Sequence, residues 1–249
     1  MSTHVQTAGK VVWHEQHSAD PSRAQAFYAE LFGWELESFK PGEMDYPMIH
    51  VNGQNHGGFW KSEGDHAYWL AHVSVEDADA TAERARAGGG SILHGPMDMP
   101  EVGRFVILAD PQGAVISAYQ PEGEGPAASG VFVWDELMTT DVEGAKQFYG
   151  DVFGWTSNDM EMGAVGPYTI LRAGETDVAG LMGRPEGVEA PPHWLPYVGV
   201  DDVDGAAERA QELGAKLVAG PMDIPGDMGR FAVLLDPLHA VFGVFKGQQ

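Results

Sequence analysis

The chain has 249 residues, 43% of them hydrophobic and 20% charged, with 37 acidic against 14 basic side chains, a formal net charge of -23 and no cysteine. That length admits two domains of about 100 to 150 residues, each able to bury a core. The missing cysteine removes disulfides, thiolate zinc sites and cysteine nucleophiles, and the lack of clustered Lys and Arg excludes nucleic acid and anionic membrane as partners.

Residues 11–17 alternate as a strand does. Asp20-Pro21 then supplies an N-cap and a first-turn proline, and Ala24, Phe27, Tyr28 and Leu31 recur at helical spacing up to Gly33. Short strands are predicted at 34–39, 47–51 and 57–61, divided by the turn pairs Pro41-Gly42 and Asn52-Gly53. The same order then recurs, with a strand at 68–75 and a helix over 77–87 that Gly88-Gly89-Gly90 ends. Strands at 91–94, 104–109 and 114–120 complete a second βαβββ unit.

This whole pattern is repeated. Val12-Trp13-His14-Glu15 matches Val133-Trp134-Asp135-Glu136, and the copies stay in step through Phe27-Tyr28/Phe148-Tyr149 and Phe32-Gly33-Trp34/Phe153-Gly154-Trp155. Further on, Trp69-Leu70 matches Trp194-Leu195, Gly95-Pro96-Met97-Asp98 matches Gly220-Pro221-Met222-Asp223, and Asp110-Pro111 matches Asp236-Pro237. The Pro- and Gly-rich junction predicts domains at 1–121 and 131–249 joined by a linker at 122–130. Arg104 and Arg230 each follow the Gly-Pro-Met-Asp segment, where Asp98 and Asp223 offer local ion pairs.

An opening strand, a capping Asp, Phe-Tyr seven residues on, Gly-Trp, and a late Asp-Pro before the last strand together resemble the vicinal oxygen chelate superfamily, which includes glyoxalases, bleomycin-resistance proteins and ring-cleaving dioxygenases. The likeness covers nearly the whole chain, and among members it is similar to two-domain actinobacterial proteins labelled glyoxalase-like or hydroxylase. It implies an α+β fold of tandem domains, each built of two βαβββ modules whose mixed sheet curves into a cup.

The resemblance also implies where a metal would be held. Its ligand positions fall on Trp13 and Trp134 in the first strand, within Gly57-Gly58-Phe59-Trp60 and Ala179-Gly180-Leu181-Met182 in the fourth, at Leu70 and Leu195 in the fifth, and on Ser117 and Gly243 in the eighth. None of these residues is a usual ligand. No metal is therefore expected at the usual positions and no cofactor is expected, although a divalent metal is possible on a displaced set.

Such a set exists in the first copy, because strand alternation places Glu15 and His17 on the face of Trp13, and His72 on the face of Leu70. Glu15, His17 and His72 are thus candidates for catalysis, as a general base with its partners or as a two-imidazole, one-carboxylate iron site. In the second copy Glu136 remains, while Met138 replaces His17 and Tyr197 replaces His72. With Trp134, Met138, Tyr197 and Phe245 around Glu136, that cup reads as an aromatic and Met-lined pocket for a planar or cationic ligand, and Trp13 and Tyr119 are further ligand-binding candidates in the first copy. The other histidines, among them His14, His56 and His193, read as surface or loop residues.

The expectation is an acidic, glyoxalase-like small-molecule-binding protein, acting as a binder or as a metal-independent enzyme. The alternative is a metal-dependent lyase or oxygenase of glyoxalase or dioxygenase type, working in the first cup. No basic leader and no apolar run of about 20 residues is visible, so a cytoplasmic monomer or homodimer is expected. Whether modules pair within a copy or between copies is open.

Overall fold

The computed structural model describes residues 8–40, 45–64, 66–123, 125–126, 130–162 and 166–248. The Pro41-Gly42 turn and, in the junction, Glu124 and residues 127–129 lie outside the described residues. The first copy runs β1 (Val11–Ser18), α1 (Pro21–Phe32), β2 (Glu35–Phe39), β3 (Tyr46–Val51), β4 (Gln54–Lys61), β5 (Tyr68–Ser74), α2 (Ala78–Ala87), β6 (Ser91–Met99), β7 (Gly103–Ala109) and β8 (Val115–Pro121). The second runs β9 (Phe132–Thr139), α3 (Val142–Phe153), β10 (Thr156–Glu161), β11 (Pro167–Ala173), β12 (Thr176–Gly183), β13 (His193–Gly199), α4 (Val203–Glu212), β14 (Lys216–Ile224), β15 (Gly229–Leu235) and β16 (Val241–Gly247). Each copy is βαβββ twice over, an α+β fold.

Local chemistry explains the boundaries. Each helix opens on an aspartate, Asp20, Asp77, Asp141 or Asp202, whose carboxylate accepts the backbone N–H three residues on. Gly33 and Gly154 close α1 and α3 in the left-handed region, at φ 69° and 73°, where a side chain is disfavoured. The Asn52-Gly53 pair turns at φ 52° and 77°, as a two-residue hairpin requires. Strand β6 runs five residues past the expected end at His94, to Met99. Its register against β7 shifts between Ile92 and His94 and again between His94 and Met97. As an edge strand it tolerates Pro96 and the bulged ladder.

The strands form two eight-stranded mixed sheets, ordered β2-β3-β4-β1-β5-β8-β7-β6 and β10-β11-β12-β9-β13-β16-β15-β14. The sheets therefore pair within a copy. The cores do not follow that division, because the chain separates into two compact units, one holding most of β5 to β12 and the other most of β1 to β4 with β13 to β16. In the second of these, Phe27, Tyr28, Trp34, Phe59 and Trp69 share a core with Phe242 and Val244. In the first, Leu108 and Ile116 share one with Phe148, Tyr149, Trp155 and Trp194.

A buried polar chain sits in each core. Trp69 Nε1 donates to Tyr28 Oη at 2.9 Å, which donates to Asp236 Oδ2 at 3.0 Å, while Asp236 Oδ1 accepts the backbone N–H of Leu238 and of Ala240. In the other unit Trp194, Tyr149 and Asp110 make the same chain at 3.0 Å and 3.0 Å. Every donor is used, which is what lets these polar groups sit in an apolar core. Burial raises both aspartates above the ordinary carboxyl range and both tyrosines well above the phenol range.

Arg104 spans Asp98 at 2.9 Å and Asp79 at 2.6 Å, and Arg230 spans Asp223 and Asp204 at 2.9 Å and 2.7 Å. These exposed forks tie the edge strand to the helix N-terminus in each copy. Among the described residues no helix is long and apolar enough to cross a membrane.

Candidate functional site

Strand β1 alternates as its sequence predicts. His14, Gln16 and Ser18 are almost fully buried on one face, while Trp13 and Glu15 on the other keep some solvent contact. Glu15 is held from two sides. Tyr46 Oη, from β3, donates to Glu15 Oε1 at 2.7 Å, and His17 Nε2 lies 2.9 Å from Glu15 Oε2. An ionised carboxylate only accepts hydrogen bonds, so with Glu15 ionised the His17 hydrogen sits on Nε2 and Nδ1 carries the lone pair. This is the geometry in which a carboxylate orients an imidazole base.

The remaining nitrogen is covered. Tyr68, the first residue of β5, stacks on the His17 ring at a centroid distance of 4.9 Å and an interplanar angle of 15°. Its hydroxyl lies 3.4 Å from Nδ1. Burial first, and then the nearby Glu15 charge, raises the Tyr68 phenol above its ordinary value, so it stays a donor at neutral pH. Trp60 lies tilted on His17 at 6.5 Å.

Room for the Tyr46–Glu15 bond comes from β4. Gly58 pairs with Glu15 across the parallel ladder, and a Cβ there would fall inside the contact radius of the Tyr46 hydroxyl. The second copy repeats the device. Tyr168 Oη donates to Glu136 Oε2 at 2.8 Å, Trp134 Nε1 donates to Tyr168 Oη at 2.9 Å, and Gly180 is the residue that leaves space. Burial, and then the Glu136 charge, pushes the Tyr168 phenol up.

At the eighth-strand position, Gly243 pairs with Tyr197 and lies beneath its ring. Tyr197 meets Phe231 edge to face at 6.2 Å, and Phe231 pairs with Phe245 in register. In the first copy the matching pair is His72 and Ser117, both buried. Tyr119 spends its hydroxyl on the Val102 carbonyl at 2.7 Å, and burial lifts it to about 12.

Glu15 and His17 are therefore joined, and Trp134 and Glu136 are joined through Tyr168. Among the described residues no group of three or more His, Asp or Glu side chains is arranged to hold a metal. At the positions where the resemblance puts ligands, glycine makes way for Tyr46, Tyr168 and Tyr197, and these do not fit a metal.

Two histidines expected at the surface are core residues. His14 is 1% exposed and stacks on Phe132 at 4.0 Å, and His56 is 7% exposed. Tyr46, Trp60, Tyr68 and Tyr168 escape a reading of the first strand alone. Matching Tyr46 with Tyr168 and Gly58 with Gly180 across the repeat is the signal that could have found two of them.

The family model described as Glyoxalase/Bleomycin resistance protein/Dioxygenase superfamily matches twice, over residues 11–117 and 132–243. "Putative glyoxylase CFP32" of Mycobacterium bovis is 35% identical over 94% of this chain and 93% of its own length. "Anthracycline biosynthesis protein DnrV" of Streptomyces peucetius is 31% identical over 96% and 93%. Among solved structures, the Mn(II)-bound glyoxalase from Novosphingobium aromaticivorans has a TM-score of 0.66 at 16% identity, covering 96% of this chain and 82% of that one. A catechol 2,3-dioxygenase has a TM-score of 0.66 at 13% identity, covering 98% and 89%. At those identities the two structures speak for the fold.

Proposed function

We propose, on the premise that the chain belongs to the glyoxalase/bleomycin resistance protein/dioxygenase superfamily, that it binds a small, flat, hydroxylated organic molecule and takes a proton from it. His17 is the base in this reading, with Nδ1 as the accepting atom. Glu15 orients the ring and stabilises its charged form, and Tyr46 fixes Glu15. The observation that carries the proposal is the Glu15–His17 contact of 2.9 Å with its Tyr46 anchor.

The ligand class follows from the ring faces of His17 and Trp60, and from the name of the anthracycline biosynthesis relative, since an anthracycline carries a planar hydroxylated ring system. The chemistry proceeds without the superfamily's metal, and the copies act as domains 1–121 and 131–249 about a linker at 122–130. In the second copy, Glu136 with Trp134 and Tyr168 is a binding group without a base.

The test uses 1,2-dihydroxyanthraquinone, whose colour moves to the red when a hydroxyl proton is lost. With a chelator present, the full chain should bind the dye and redden it at a pH where the free dye stays protonated. His17→Gln should bind it without reddening. Failure to bind, or reddening that survives His17→Gln, sinks the proposal. The family description, which names glyoxalases and dioxygenases, favours the second reading, a metal-dependent lyase or oxygenase. Stoichiometric iron, zinc, nickel or manganese in protein purified without tag or chelator would establish it against the metal-free one.

A further inference from the structure

The Nε2 hydrogen of His17 is spent on Glu15. Nδ1 is the reactive atom left, and it lies under Tyr68. The His17 side chain is only 7% exposed. Tyr68 itself is 36% exposed. Among the described residues its interactions are the stack on His17, the long 3.4 Å contact to Nδ1 and the field of Glu15. A phenol anchored by one weak contact, standing at the first residue of a strand, can swing outward and leave no core cavity behind.

We propose that Tyr68 is a displaceable cap on His17, a specificity-determining residue whose ring holds the place that the ligand's ring takes. This rests on His17 being the reacting group. The cap admits ligands that can replace a phenol, flat enough to stack on imidazole and bearing a donor hydrogen for Nδ1, and it keeps Nδ1 from water until one arrives. The second copy has no such device. His193 stands at the position of Tyr68, its Nδ1 2.8 Å from the Pro191 carbonyl, and Met138 stands at that of His17. A closed cap also taxes binding, because apparent affinity falls by the fraction of molecules in which the site is open.

Carbethoxylation by diethylpyrocarbonate, read by peptide mass spectrometry on the full chain, tests the cap without any ligand. In the wild type His17 should react far more slowly than the exposed His239 in the same sample. Tyr68→Ala should raise the His17 rate about tenfold or more, Tyr68→Phe should leave it slow, and Trp60→Ala should not change it. Fast His17 in the wild type, slow His17 in Tyr68→Ala, or exposure by Trp60→Ala instead would overturn the proposal.

Buried His14 must stay unmodified as a control on folding. If it reacts in Tyr68→Ala, Tyr68→Leu takes that variant's place. The second arm measures dye affinity, which Tyr68→Ala should tighten by the factor that it adds to the His17 rate. If neither form binds the dye, the function proposed above fails while the carbethoxylation arm still decides the cap.

Discussion

The first strands of the two copies keep one frame and differ in what it carries. Both hold a glutamate, Glu15 or Glu136, pinned by a tyrosine hydroxyl that a glycine on the neighbouring strand admits. On the first the glutamate meets an imidazole, whereas at the matching place the second has a thioether, Met138. The shared frame belongs to the fold, because aiming a buried carboxylate needs its lone pairs satisfied wherever it occurs. The imidazole is an addition to that frame, since the second copy keeps its frame without one.

The largest effect expected from breaking this difference is at His17. Replacing it by methionine, the residue of the second copy, should lower proton transfer to the dye by about 10²- to 10⁴-fold, the usual worth of a positioned base. Stopped-flow reddening checks it, and equal rates would show the copies to be equivalent.

Next comes the frame itself. Gly58→Ala and Gly180→Ala should each destabilise the chain by about 1–3 kcal/mol through overpacking against Tyr46 or Tyr168. Only Gly58→Ala should also slow reddening. Urea denaturation together with the rate assay separates the two, and an unchanged rate in Gly58→Ala would remove Tyr46 from the site.

Tyr28→Phe should cost about 1–3 kcal/mol, because Trp69 Nε1 loses its acceptor and Asp236 Oδ2 a donor in a closed core. Tyr149→Phe should cost a similar amount in the other unit, and thermal unfolding compares them. A pair of unequal losses would show that the matched chains are not matched in energy.

The smallest effect is in pH. Burial first of all raises Asp236 above 3.8, against the lowering effect of its hydrogen bonds. The folded state therefore binds this proton more tightly than the unfolded chain does. The resulting stability is fully present below the unfolded value and is lost as pH rises through the folded one. The stability of wild type relative to Asp236→Asn should fall over that window in urea titrations; a difference that grows with pH would reverse the sign.

Much of this was legible in the linear chain. Aspartate caps, Gly33 and Gly154, the Asn52-Gly53 turn and the two-residue alternation of β1 follow from local sterics and hydrogen bonding, so they read directly from neighbouring residues. Pairing Glu15 with His17 required only that alternate residues share a face. Tyr46 and Tyr68 were not legible, because they reach Glu15 and His17 from β3 and β5, 31 and 51 residues away. The burial of His14 escapes the linear chain for the same reason, since burial depends on what covers a face. Phe132, from the other copy, stacks on its ring.

The repeat, the order of elements and the family resemblance are all properties of spacing along the chain. The tertiary structure decided that the sheets pair within a copy while each core draws on both, and that glycines at the expected ligand positions admit tyrosines. Those are outcomes of packing, in which a position's role depends on side chains far away in sequence that compete for the same few ångströms.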